Sequence, residues 1–127
     1  MDASNVAHGA DLKKPTVNNI LLVAEKLRSI GFTKVIIIAD ASLRHKIDDK
    51  KRYEELLTQG FISQAPAKTE ADEFLIGFAK QKIGYIVTND RLEKWMQKDP
   101  WVKDNLYDIH IQFMIQEDMV LFVGFPT

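Results

Sequence analysis

An α/β fold built on a mostly parallel sheet is predicted by three features of the sequence. Two β-branched runs, Val35-Ile36-Ile37-Ile38-Ala39 and Tyr85-Ile86-Val87-Thr88, suit strands buried on both faces. Apolar stripes at helical spacing alternate with these runs, the order expected of right-handed crossovers. Both runs stop at an acid, Asp40 or Asp90, and sheets of this class carry their sites at the carboxyl ends of the strands.

The elements follow in order. Val17, Ile20, Leu21, Ala24, Leu27 and Ile30 form a 3/4-spaced stripe, so a helix is expected over 16–30, opened by Pro15 and ended by Gly31. After the first buried strand, a second helix over 49–59 ends at Gly60. Phe61-Ile62-Ser63 reads as a short strand closed by Pro66. Thr69 starts a third helix with the stripe Ala71, Phe74, Leu75, Phe78 and Ala79, ended by Gly84. A short helix over 91–98 follows the second buried strand. The tail alternates at Ile109, Ile111, Phe113 and Ile115. A Gln116-Glu117-Asp118 turn and Val120-Leu121-Phe122-Val123 complete an antiparallel hairpin on the sheet edge.

The chain has 127 residues, which fits one domain over 1–127. Apolar residues make up 46%, enough for one buried core at this size. The net charge of −1 gives no global basic field, so any nucleic-acid binding must rest on a local patch. The absence of cysteine excludes disulfides, cysteine-ligated zinc and thiol catalysis. Apolar runs are far shorter than a membrane span, and Asp2, Asn5 and His8 sit where a signal peptide would be apolar. The expectation is a cytoplasmic protein with no membrane partner.

Asp2, Asp40, Asp72 and Asp90 stand near predicted strand ends or helix starts. Carboxylates brought within a few ångströms repel and raise each other's pKa unless a cation lies between them. An oxygen-only donor set suits Mg²⁺ or Mn²⁺ rather than zinc. Such ions activate water and stabilise charge on a phosphodiester. Each acid also has a plainer reading. Thr69-x-x-Asp72 fits a capping box, Asp90 fits a turn or N-cap, and Asp40 is favoured as the cap of a short turn. The Asp48-Asp49 pair reads as helix N-terminal charge rather than a ligand.

Positive charge gathers at Arg44, His45, Lys46, Lys50, Lys51 and Arg52, with Lys13, Lys14, Lys68 and Arg91 elsewhere. Lys68 and Arg91 flank two of the acids. A basic rim around a metal site would hold phosphates in register, and Arg44, Lys46 and Arg91 are the preferred members. Lys50-Lys51-Arg52 is favoured as a solvated helix face, and His45 is equally a phosphate donor or an idle surface histidine. Trp95 and Trp101 could stack bases, although helical spacing favours Trp95 as core.

Four segments in this order carry a resemblance. Asp2-Ala3-Ser4-Asn5 resembles the opening Asp-x-x-Asn motif of NYN domains in the PIN-like nuclease superfamily. Asp40-Ala41-Ser42-Leu43-Arg44-His45-Lys46 is similar to the loop after the second strand. Ala71-Asp72-Glu73-Phe74 is similar to the acid motif of the third helix, and Thr88-Asn89-Asp90-Arg91 to the (Ser/Thr)-Asn-Asp motif. The branch most resembled is the Regnase-type ribonucleases and their prokaryotic relatives. The resemblance implies a PIN-like three-layer sandwich and Mg²⁺- or Mn²⁺-dependent cleavage of single-stranded RNA. It gives metal and catalytic roles to Asp2, Asp72 and Asp90, a positioning role to Asn5, and phosphate contacts to Arg44 and Arg91; Lys46, Lys68 and His45 join them as RNA-binding candidates from the basic rim. It also admits a homodimer and an antitoxin-like protein partner.

The sequence departs from that pattern in three places. Ala71 stands where relatives carry a second acid, and Lys94 stands where they carry another. Only Met1 precedes Asp2, where relatives have an apolar central strand. The first strand is therefore expected to be truncated, or its place filled by another segment or a neighbouring chain, with Asp2 on a fraying end. Two other functions remain open: a non-catalytic RNA-binding or regulatory module on the same fold, and a phosphatase-like enzyme with Asp2 as nucleophile. The second lacks the usual Asp-x-Asp, because position 4 is Ser4.

Overall fold

A computed structural model describes residues 1–9, 14–82 and 84–124. Lys13, counted above among the basic residues, lies outside them. The described chain is mixed α/β, with parallel strands crossed over by helices and an antiparallel pair at the end.

The chain opens with helix α1 (Ala3–His8), which the apolar pattern does not announce because it is only six residues long. Helix α2 (Val17–Ser29) follows the expected stripe in part: Val17, Ile20, Ala24 and Leu27 are buried with Val23, whereas Leu21 is half-buried and Ile30 exposed. The Thr16 hydroxyl caps it by accepting from Asn19 N. Strand β1 (Ile38–Ala39) is shorter than the β-branched run, because its partner β2 (Ser63–Gln64) is itself two residues long. Between them lie α3 (Leu43–Lys46) and α4 (Lys50–Thr58), the latter capped by Asp49 accepting from Arg52 N. β2 begins two residues later than Phe61, because Phe61 N and Ile62 N both donate to Leu56 O and close off α4 instead.

Helix α5 (Ala71–Lys82) leads to strand β3 (Ile86–Val87) and helix α6 (Glu93–Lys98). Helix α7 (Pro100–Ile109) corrects the sequence reading, which placed Ile109 in the hairpin. Its signature is local: Asp99 accepts from Trp101 N, Pro100 fills the first helical position, and Val102 and Leu106 face inward. Strands β4 (His110–Gln116) and β5 (Met119–Val123) pair antiparallel. The two residues joining them, Glu117 and Asp118, both have positive φ, as a type I′ hairpin turn requires.

Strand residues alternate between two cores. Ile37, Ala39, Val87 and Ile111 pack with α1 and α2, whereas Ile38 and Ile86 pack with α5, α6 and α7. Helices therefore cover both faces of the strands. No helix among the described residues is long and apolar enough to cross a membrane.

The expected gap at the first strand is closed, at the end where the acids lie, by the first two residues. Ile38 N donates to Met1 O and Asp2 N donates to Val87 O, each at 3.0 Å. Asp2 makes a parallel bridge to Ile38. Met1 and Asp2 thus stand between β1 and β3 and join the two ladders. Asp2 does not fray: it is 6% exposed.

Candidate functional site

Three strand ends and one helix start meet around a cleft of about 1010 Å³. Asp2 enters it from the central position between β1 and β3, Asp40 from the end of β1, and Asp90 from the loop after β3. Asp72 enters from the first turn of α5. Four acids spread over 89 residues of sequence become neighbours because parallel strands, all pointing one way, place their carboxyl ends on one edge.

Each acid is fixed by a definable local bond. Asp2 caps α1 by accepting from Asn5 N at 3.2 Å. Asp40 Oδ1 accepts from Ala71 N at 2.8 Å, so it caps α5 across the cleft rather than the short turn beside it. This displaces the Thr69–Asp72 capping box: the Thr69 hydroxyl donates to Pro66 O, and Asp72 faces the cleft. Asp90 Oδ1 accepts from Leu92 N, and Asp90 N donates to the buried Thr88 hydroxyl. Asn89 is tied to β4, and its backbone N–H donates to Asn5 Oδ1 at 2.8 Å. Asn5 is therefore a positioning residue that locks α1 to the loop bearing Asp90.

Burial dominates the electrostatics. Desolvation raises the pKa of Asp2, against the Asn5 amide that lowers it; Asp40 raises it further. Asp72 is pushed up to about 7, first by desolvation, then by the charges of Asp2 and Asp90. The Asp2 and Asp72 carboxyls are near enough to influence each other's protonation. Two partly desolvated acids that resolve their repulsion with a proton offer the donor chemistry of a hard dication. Among the described residues, no three acids or histidines are grouped to enclose an ion. Mg²⁺ sites commonly use one or two carboxylates, with waters and substrate phosphate completing the shell, and Asp2 and Asp72 meet that requirement.

The basic residues divide. Lys68 and Arg91 line the cleft. Arg44 does not: its guanidinium pairs with Glu54 at 2.6 Å beside a separate cavity of about 440 Å³. His45 and Lys46 are exposed on α3 and do not line the cleft either. Their nearness to the acids in sequence is not carried into space because α3 turns them outward. Lys94 lines the cleft and pairs with Glu70, a role its sequence neighbourhood did not signal. Trp95 and Trp101 are partly buried against the second core, and Trp95 also borders the cleft.

The model of the Zc3h12a-like ribonuclease NYN domain matches residues 1–126. The chain belongs to this family. No curated protein matches it. In this NYN domain the four acids meet in one cleft at the carboxyl ends of its strands. The NYN fold accounts for why the acids are so far apart in sequence: each arrives on a different element.

Proposed function

We propose that residues 1–127 act as one nuclease domain that hydrolyses phosphodiester bonds of single-stranded RNA with a divalent cation, Mg²⁺ or Mn²⁺. The observation that carries this reading is the convergence of buried Asp2 and half-buried Asp72, with Asp90, in one cleft rimmed by Lys68 and Arg91. Asp2 and Asp72 would hold the ion, with Asp90 as the third acid at the rim. A bound divalent ion would supply Lewis acidity and lower the pKa of a nearby water. Asn5 keeps the Asp90 loop in register through its bond to Asn89 N. Lys68 and Arg91 neutralise phosphate charge and position the strand. In the reaction, the water oxygen forms the new bond to phosphorus and the bond to the 3′ oxygen breaks. The products are a 5′-phosphate and a 3′-hydroxyl. A cysteine-free chain acting on RNA fits the cytoplasm as its place of work.

The test is incubation with labelled single-stranded RNA in Mn²⁺, Mg²⁺ or EDTA, with Asp72→Asn and Asp90→Asn alongside. Cleavage is expected only with metal and only in the wild type. Undiminished cleavage by Asp72→Asn would remove the assignment.

A second reading, a non-catalytic RNA-binding module, draws on the lack of any three grouped acids or histidines among the described residues. It predicts RNA binding that persists in EDTA and no turnover with any metal. The proposal extends to a homodimer. The outward face of the hairpin carries Met114, Met119, Leu121 and Val123, each 59–68% exposed, and a second copy would bury them.

A further inference from the structure

The cleft is poorly charged for a polyanion. Six carboxylates line it against three side-chain cations, Lys68, Arg91 and Lys94. Arg91 is at the rim, with a side chain 83% exposed and a loose 3.8 Å contact to Glu93. Lys94 is placed differently. It sits in the first turn of α6, two residues beyond the Asp90–Leu92 turn, and it feels the charges of Asp72 and Asp90. Its ammonium is bonded to Glu70, which immediately precedes α5. The pair therefore ties the start of α5, which bears Asp72, to α6, which follows the Asp90 loop.

We infer that Lys94 is a phosphate-binding residue of this cleft, masked by Glu70 until an RNA phosphate takes the glutamate's place. The inference rests on the nuclease reading above. Both partners of the ion pair are about half exposed, 50% and 51%, and exposed ion pairs contribute little stability. The exchange is therefore cheap: one charge-assisted bond to a carboxylate gives way to another to phosphate. The ammonium also has a fixed backing. It lies 5.4 Å from the centroid of the Trp95 ring, and Lys98 lies 5.5 Å from the same ring. The indole attracts cations through its face, so Lys94 has a second contact near the cleft wall when Glu70 lets go. After the exchange Glu70 is left as an unpaired carboxylate beside the strand, so removing its charge should favour binding.

A purely structural strap would make the two partners equivalent, whereas a mask makes them opposite. Binding of a labelled single-stranded oligoribonucleotide is measured by fluorescence anisotropy in EDTA, across a salt series, with thermal melts of each variant. Lys94→Ala is expected to weaken binding about 5-fold and to reduce the slope of log K against log salt by about 0.7, the loss of one phosphate contact on a single strand. Glu70→Gln is expected to tighten binding about 3-fold, and to give in the Lys94→Ala background only the smaller gain of general charge removal. Glu93→Gln, another cleft acid, controls for general charge removal and should give a smaller gain that does not depend on Lys94. Equal binding by wild type and Lys94→Ala would overturn the inference alone, as would a Glu70→Gln gain that persists undiminished without Lys94. Wild-type protein that binds no RNA would overturn the nuclease reading and this inference with it.

Discussion

Asn89 holds Phe113 by both of its backbone groups: Nδ2 donates to Phe113 O and Oδ1 accepts from Phe113 N, each at 2.9 Å. This side-chain clamp continues the β3–β4 ladder past the last paired residue, Val87, and fixes the loop that presents Asp90. The Thr88-Asn89-Asp90 segment thus divides its labour. Thr88 braces the loop through its hydroxyl, Asn89 anchors it to β4, and Asp90 faces the cleft.

Removing the clamp should cost both stability and cleavage. Asn89→Ala leaves a backbone donor and acceptor of β4 without their partner, a loss of about 2 kcal/mol. Urea denaturation should show that loss, and RNA cleavage should fall by more than the unfolded fraction explains. Asn89→Asp keeps the acceptor for Phe113 N but loses the donor, and should lie between. Wild-type stability in Asn89→Ala would show that the clamp is dispensable.

The Asp2–Asp72 pair predicts the pH dependence of the metal-free protein. The folded-state pKa of Asp72 is raised from 3.8 to about 7. Between those values the native protein keeps a proton that the unfolded chain has released, so stability falls as pH rises through this window. Asp2, also raised, acts in the same direction. Asp72→Asn, a neutral near-isostere, should melt close to wild type near pH 4 and above it at pH 7.5. Melts in EDTA at several pH values check this, and a difference that does not grow with pH would contradict it.

A divalent cation should offset the same repulsion. At pH 7.5, Mn²⁺ or Mg²⁺ at about 100 times its dissociation constant should stabilise the wild type by about 2.7 kcal/mol. Asp2→Asn and Asp72→Asn should lose most of that increment, whereas Arg44→Ala, remote from the cleft, should keep it. Calorimetric melts with and without metal make the comparison. Equal stabilisation of all three variants would place the ion elsewhere.

The hairpin face predicts association. Met114 and Leu121 are directly cross-strand and both point outward, 59% and 68% exposed. Sedimentation equilibrium should show a concentration-dependent dimer that Leu121→Lys abolishes without lowering Tm. A wild type that stays monomeric at high concentration would remove the dimer.

What the sequence determined by itself was whatever depends on near neighbours. The stripe of α2, the β-branched runs, the acidic start of α4 at Asp48-Asp49, the hairpin and the acids at strand ends are all contiguous patterns. Even α7, which the reading missed, has its Asp99-Pro100 start written locally. Tertiary structure decided what depends on which strands lie side by side. It placed Met1 and Asp2 between β1 and β3, burying an acid that a terminal position alone would leave in water. It used Asp40 to cap α5, 31 residues away, and so left Asp72 to the cleft. It sent Arg44 to Glu54 and brought Lys94 to Glu70. An ionisable side chain responds to the low dielectric and the charges within a few ångströms of it, and sheet order, not sequence spacing, sets that neighbourhood.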